Sequence, residues 1–243
     1  MTDPKNEIRD YLQKLIHRLL YVKGLNKQLK LLKEWETPER IIALELGSYF
    51  FKLVQFSFYR TLIIELCLLL DDREEKCIVD FLEKANDHAK VIGPKRFDIE
   101  KWKRETINAK EYQDIVSKQQ KLVESKKETI NNIKGRRDTS LAHSDANFFN
   151  NPDDTYIKYP LSDENIEDLI ELATEILRMQ HVHLFDSDLD IQVYATSNID
   201  TILWHIRGFN RLWHDPRARD LHPGLYKLDD YKERLKELLS KNK

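Results

Sequence analysis

Glycine and proline are scarce in this chain, with six and seven residues among 243. A sandwich or barrel needs many tight turns, so this scarcity argues against an all-β architecture. Cysteine is nearly absent. Cys67 and Cys77 lie in or beside an apolar helical stretch, with no disulfide or zinc spacing, and read as reduced thiols of a cytosolic protein. There is no excess of either charge sign. A net charge of −2 excludes a bulk polycation that coats nucleic acid, so any such site must be a local patch. The first residues, Met1 to Glu7, are polar and acidic, unlike a secretory signal. The most apolar run, Leu62 to Leu70, is interrupted by Glu65 and is shorter than the roughly 20 residues a bilayer span takes. The expectation is a cytoplasmic protein with no membrane partner.

What is present is helical periodicity and charge. With 41% hydrophobic and 34% charged residues, the chain suits one large helical domain, or one domain with an appendage. Asp3-Pro4 reads as a helix start, and Ile8, Leu12, Leu15, Leu19 and Val22 recur at helical spacing behind it. Thr37-Pro38-Glu39 repeats the start signal ahead of an apolar helix running from Ile42 to Leu70. Asp71-Asp72 ends or bends that helix, and Glu74 to Ala85 reads as the next one. Val91-Ile92-Gly93-Pro94 is a break. Ile107 to Lys134 reads as one long charged helix with a single wet face. Asn147 to Pro160 reads as a loop, and Ser162-Asp163-Glu164 opens a further helix. Beyond it, Ile199 to Trp213 is helical, His214 to Gly224 irregular, and Asp230 to Ser240 a short charged helix.

The stretch richest in chemistry is Arg136-Arg137-Asp138-Thr139-Ser140-Leu141-Ala142-His143. An arginine presents a planar fork of donors that fits a phosphate. A histidine titrates near neutral pH and passes protons. Together they suffice to attack an RNA phosphodiester without a metal. In a continuous α-helix, at about 100° per residue, Arg136 and His143 share a face, whereas Arg137 and His143 do not. Arg137 converges on His143 only through a break near Gly135, which suits a helix C-terminus, or Asp138, which suits an N-cap. Arg137 is favoured and Arg136 stays open. Asp138 either orients Arg137 or caps the new helix. Such a junction is also an ordinary place for solvated charges and a structural histidine.

Arg137-Asp138-Thr139-Ser140-Leu141-Ala142-His143-Ser144-Asp145 resembles the arginine-to-histidine motif of the HEPN superfamily. Leu66-Cys67-Leu68-Leu69-Leu70-Asp71 resembles the apolar-then-acidic helix end of its abortive-infection U-type (AbiU-like) branch. The resemblance covers residues 1 to 185 and departs at Asp145, where some HEPN toxins carry a tyrosine. It implies a metal-independent endoribonuclease, in phage defence or a toxin–antitoxin setting. The ribose 2′-hydroxyl attacks the adjacent phosphate, and Arg137, with Arg136 as understudy, stabilises the phosphoryl charge. A two-fold dimer supplies the second histidine, and the 2′-hydroxyl requirement selects RNA. The alternative is a non-catalytic HEPN-like dimer that binds a protein or nucleotide.

The expected fold is therefore all-α, an antiparallel HEPN-like helical bundle over 1–185 with a C-terminal helical extension, 186–243, packed on it. The site residues expected are Arg137, His143, Arg136 and Asp138 for catalysis, and Lys134, Ser144 and Asp145 for substrate. Lys126 and Lys127 are basic neighbours able to guide RNA. No cofactor and no metal is expected, because His181, His183, His205, His214 and His222 lack carboxylate or Cys spacing. An antitoxin protein is a possible partner. Trp204, Phe209 and Trp213 are expected to pack the tail, with base stacking open to them if exposed. Glu65 is expected to face solvent or to pair with a motif arginine.

Overall fold

A computed structural model describes residues 3–33, 41, 44–45, 47–98, 103–141, 152–185, 187, 189–191 and 199–214. Among them the chain is almost wholly helical. Helix α1 (Pro4–Lys33) starts where the Asp3-Pro4 signal places it, with Asp3 Oδ1 accepting from the Lys5 amide at 3.1 Å. Helix α2 (Ser48–Leu70) stops before Asp71. Helix α3 (Ile78–Asp87) begins with its apolar pattern at Ile78 and later than the expected start at Glu74, because Cys77 is its N-cap and Lys76 just before it holds a positive φ of 66°. The short α4 (Ala89–Ile92) ends at Gly93, whose φ of 59° is the left-handed conformation that glycine adopts freely.

Three local expectations are corrected. A two-stranded antiparallel hairpin, β1 (Lys95–Asp98) with β2 (Lys103–Thr106), follows the Gly93-Pro94 break and pairs Lys95 with Thr106. The long charged helix is two helices, α5 (Ala109–Ser125) and α6 (Lys127–Arg136), separated at Lys126. A reciprocal cap starts α5: Asn108 Oδ1 accepts from the Glu111 amide, and Glu111 Oε2 from the Asn108 amide. Thirdly, the stretch read as a loop contains helix α7 (Pro152–Lys158). Its Pro152-Asp153-Asp154 start is a helix signal as much as a turn signal, since proline tolerates the first position and acidic residues suit the first turn. Helices α8 (Asp163–Phe185) and α9 (Ile199–His214) lie where expected. The segment Asp230 to Ser240 lies outside the described residues.

The chain forms two compact units, residues 1–30 with 54–195 and residues 31–53 with 196–243. In the first, α1 crosses α8 antiparallel: Arg9 near its start donates to the Leu184 carbonyl, and Lys30 near its end pairs with Glu167. Helix α5 is antiparallel to α8 in the same way, through Tyr112 with Gln180 and Lys126 with Asp168. The apolar stripes of these helices meet in one core that includes Leu12, Leu19, Leu66, Phe81, Val116, Leu169 and Leu177. In the second unit Leu203 of α9 is buried and Trp204 is 66% exposed; the side chains of Phe209 and Trp213 lie outside the described residues.

Helix α2 is longer than the apolar run Leu62–Leu70. Its 23 residues are apolar enough to cross a bilayer by length and composition. Its C-terminal half instead builds the core, with Leu62, Ile63, Leu66 and Leu69 almost fully buried. Glu65 is partly exposed, its side chain at 22%, and does not meet a motif arginine. It pairs with Arg18 of α1 at 3.2 Å, and Arg18 also donates to the Leu68 carbonyl near the end of α2.

One polar chain runs through the core. Tyr112 donates to Gln180 Oε1 at 2.5 Å, and Gln180 Nε2 donates to Gln119 Oε1 at 2.6 Å. Gln180 and Tyr112 are both fully buried, so neither has water as a substitute partner. Tyr112→Phe should therefore cost about 1–3 kcal/mol, the penalty of an orphaned buried acceptor. Urea denaturation checks it: a lower midpoint at unchanged slope is expected, and an unchanged midpoint would show that the chain contributes nothing to stability.

Candidate functional site

The site begins with an electrostatic problem at the end of α2. Asp71 follows the last helical residue, its amide donating to the Cys67 carbonyl at 2.8 Å. The C-terminal end of a helix carries partial negative charge, so a carboxylate is disfavoured there. Asp71 is also buried, with its side chain only 4% exposed. A buried carboxylate in this position needs cations. Lys134 Nζ lies 3.4 Å from Asp71 Oδ2 and Arg137 Nη2 lies 3.7 Å from it, while Arg73 Nε meets Oδ1 at 3.4 Å. Oδ2 has ion-pair contacts with both cations but makes no hydrogen bond to either.

Arg73 lies in the turn after α2, whereas Lys134 and Arg137 come from the end of α6 and the residue after it, a segment fixed by aromatic packing. A Cβ built on Gly135 would stand 2.3 Å from the ring of Tyr159, so glycine is needed here for close approach. It neither ends the helix, which continues through Arg136, nor adopts a positive φ. Arg136 points inward. Its Nε donates to the Tyr159 carbonyl at 2.7 Å, Nη1 to the Tyr59 hydroxyl at 2.8 Å, and Nη2 to the Leu161 carbonyl at 3.4 Å. Its guanidinium also lies 5.0 Å from the centre of the Tyr156 ring. Arg136 thus ties α6 to α2, to α7 and to the segment leading into α8.

Arg137 faces the other way, into carboxylates. Its Nη1 donates to Glu74 Oε1 at 2.6 Å and its Nε to Asp138 Oδ1 at 2.8 Å, while Nη2 faces Asp71. Asp138 therefore orients Arg137 and is not an N-cap. Burial works against the charge of Arg137, but the hydrogen bonds to Asp138 and Glu74 outweigh it and raise its pKa further above the ordinary value. The fork is 14% exposed, Glu74 28% and Asp138 47%. From Arg137 to Leu141 the backbone is a π-helical turn, a form often found at functional sites. Thr139 donates its hydroxyl to the Gly135 carbonyl at 2.6 Å, a back-bond of the kind that bends helices.

The structure thus gathers Lys134 and Arg137 around Asp71, places Asp138 on Arg137, and sets Arg136 apart from them. His143, Ser144 and Asp145 lie outside the described residues. Lys126 and Lys127 are turned to Asp168, and to Glu124 and Asp72. Among the histidines, His181 stacks on Phe185 and His183 meets the edge of Tyr112. Among the described residues no group of three or more His, Cys, Asp or Glu is placed to hold a metal ion. Cys67, beneath Arg137, is buried, and burial pushes its thiol up to about 12, so it stays protonated. A cleft of about 470 Å³ opens on Asp71 between α2, α3, α5 and α6. A larger one of about 990 Å³ lies between α1 and α8, away from the cluster.

Reasoning from the sequence missed Glu74, Tyr59 and Tyr159 as parts of this site. The signal available was charge complementarity: Asp71-Asp72-Arg73-Glu74-Glu75 is a dense acidic segment between apolar helices, and Lys134-Gly135-Arg136-Arg137 is a basic one. Gly135→Ala separates two effects of opposite sign. In an open helix it stabilises by about 1 kcal/mol. Here the Tyr159 ring must move, at a cost of about 1–3 kcal/mol, and Arg136 loses its carbonyl partner with it. A lowered melting temperature is expected; a raised one would show that the ring yields freely.

A family model described as HEPN AbiU2 matches residues 7–202. No curated protein matches, and no solved structure does. The matched span takes in the helix end at Asp71, the basic end of α6 and the whole arginine-to-histidine stretch. This chain belongs to the AbiU2 family of abortive-infection HEPN domains.

Proposed function

We propose that the protein is a metal-independent endoribonuclease that cleaves RNA by 2′-hydroxyl transesterification in phage defence or as the toxin of a toxin–antitoxin pair. The observation that carries the reading is Arg137: a charged fork at the start of a π-turn, positioned by a buried carboxylate, six residues ahead of His143. Arg137 stabilises the charge that builds on the phosphoryl oxygens, and His143 moves the proton. Arg136, spent on Tyr159, Tyr59 and Leu161, supports the site without touching substrate. Ser144 and Asp145 contact the substrate, and Lys134 acts through Asp71. One histidine does not reach both sides of an in-line displacement, so two protomers pair about a two-fold axis. The bundle over 1–185 carries the chemistry, 186–243 is its extension, and the protein works in the cytoplasm, with an antitoxin as partner.

A second reading, a non-catalytic dimer that binds protein or nucleotide, draws on one specific observation. The fork of Arg137 is already occupied by three carboxylates. The two readings separate in one experiment. Purified protein in EDTA should cut single-stranded RNA and leave 2′,3′-cyclic phosphate ends. His143→Ala and Arg137→Ala should each lower the rate by about two orders of magnitude or more, with the melting temperature nearly unchanged for His143→Ala. Arg136→Ala should lower activity and stability together. Full activity in both single variants, or loss of cleavage on adding EDTA, sinks the mechanism. An intact wild type that cuts no RNA favours the binding module.

A further inference from the structure

We propose that Glu74 is an internal competitor for phosphate at Arg137 and sets the affinity of the site for RNA; the inference rests on Arg137 as the phosphate-binding residue of the reading above. The three carboxylates around Arg137 are not equivalent. Asp71 is 4% exposed and held at the end of α2, so it has no room to turn out to solvent. Glu74 is 28% exposed and sits in the turn between α2 and α3, its amide donating to the Asp71 carbonyl at 3.1 Å. Its carboxylate makes the shortest contact to the fork, 2.6 Å from Nη1.

An arginine holds a phosphate through parallel N–H donors of one guanidinium edge. In this structure Nη1 and Nε are taken by Glu74 and Asp138. A phosphate that docks on the fork must displace at least one of them or accept a carboxylate at close range. Asp138 is the neighbour of Arg137 in sequence and shares its backbone turn. Glu74 lies 63 residues away, on a separate segment whose side chain reaches solvent. Asp138 is the more exposed, at 47%, but turning it out breaks a bond within the π-turn itself; Glu74, at 28%, can swing out without moving that turn, and its charge mimics the phosphate it yields to. The site at rest is therefore closed by charge, and binding is an exchange of one anion for another.

The two roles open to Glu74 predict opposite signs. A positioning residue, when neutralised, weakens RNA binding. A competitor, when neutralised, strengthens it, because Arg137 loses a charge-assisted bond and keeps a weaker neutral one. Binding of a fluorescein-labelled single-stranded RNA is followed by anisotropy in EDTA, on a His143→Ala background so that the probe is not cut. Glu74→Gln should bind about tenfold tighter than its parent, the ratio expected between charged and neutral hydrogen bonds. Adding Arg137→Gln should abolish the gain, so that the double variant binds no tighter than Arg137→Gln alone. Glu75→Gln removes the same charge from an exposed neighbour and should change affinity far less. Melting temperatures identify any variant that fails to fold; Glu74→Ala then serves as the second test, with the same sign expected. Equal or weaker binding by the Glu74 variants, a gain matched by Glu75→Gln, or no binding by any variant overturns the proposal. A wild type that binds RNA without cutting it, with the Glu74 gain intact, sinks the nuclease reading and leaves this one standing.

Discussion

The site depends on one buried carboxylate. Asp71 sits at the negative end of α2, where both the helix dipole and desolvation oppose its charge. Arg73, Lys134 and Arg137 are the cations that make it tolerable, and the last two come from the far end of α6 or the residue after it. That pairing fixes the end of α6 against the end of α2. It also turns Arg137 toward the acidic segment while Arg136, its neighbour, turns to the aromatic side. The paired arginines then do different work: one is a structural anchor saturated by carbonyls and a hydroxyl, the other a fork held among carboxylates.

The packing around this junction serves the same end. Gly135 lets the Tyr159 ring lie against α6, and the Tyr159 carbonyl receives Arg136. Cross-links at both ends of α1 and α8, and of α5 and α8, hold the bundle that carries α2 and α6. The π-turn from Arg137 to Leu141 departs from α-geometry at the guanidinium fork of Arg137, where a departure alters which residues converge.

Much of the bundle is legible in the amino-acid sequence. Apolar spacing locates α1, the C-terminal part of α2, α8 and α9, because a buried helical stripe leaves a strong period in the chain. The arginine-to-histidine stretch and the acidic helix end are legible as a resemblance, and the family match over 7–202 shows the family. Other features leave no such trace. The break at Lys126 lies in a segment so charged that one helix and two read alike. The Gly135 contact depends on Tyr159, 24 residues later. Glu74 is hidden because its partner is 63 residues away, and local pattern carries no information on such pairs. Spacing to His143 favours Arg137 over Arg136 but leaves both open; what separates them is the surroundings of each guanidinium, which the local sequence does not show.

A double-mutant cycle on Asp71 and Arg137 tests the central dependence most directly. Asp71→Asn, Arg137→Gln and the double variant are unfolded in urea beside the wild type, and the four stabilities compared. If Asp71 fixes Arg137, each single change strands a buried charge, and the double change costs less than the two together, with a coupling of about 1–3 kcal/mol. Costs that add to within about 0.5 kcal/mol would contradict the account, because the two groups would then stand side by side without holding each other.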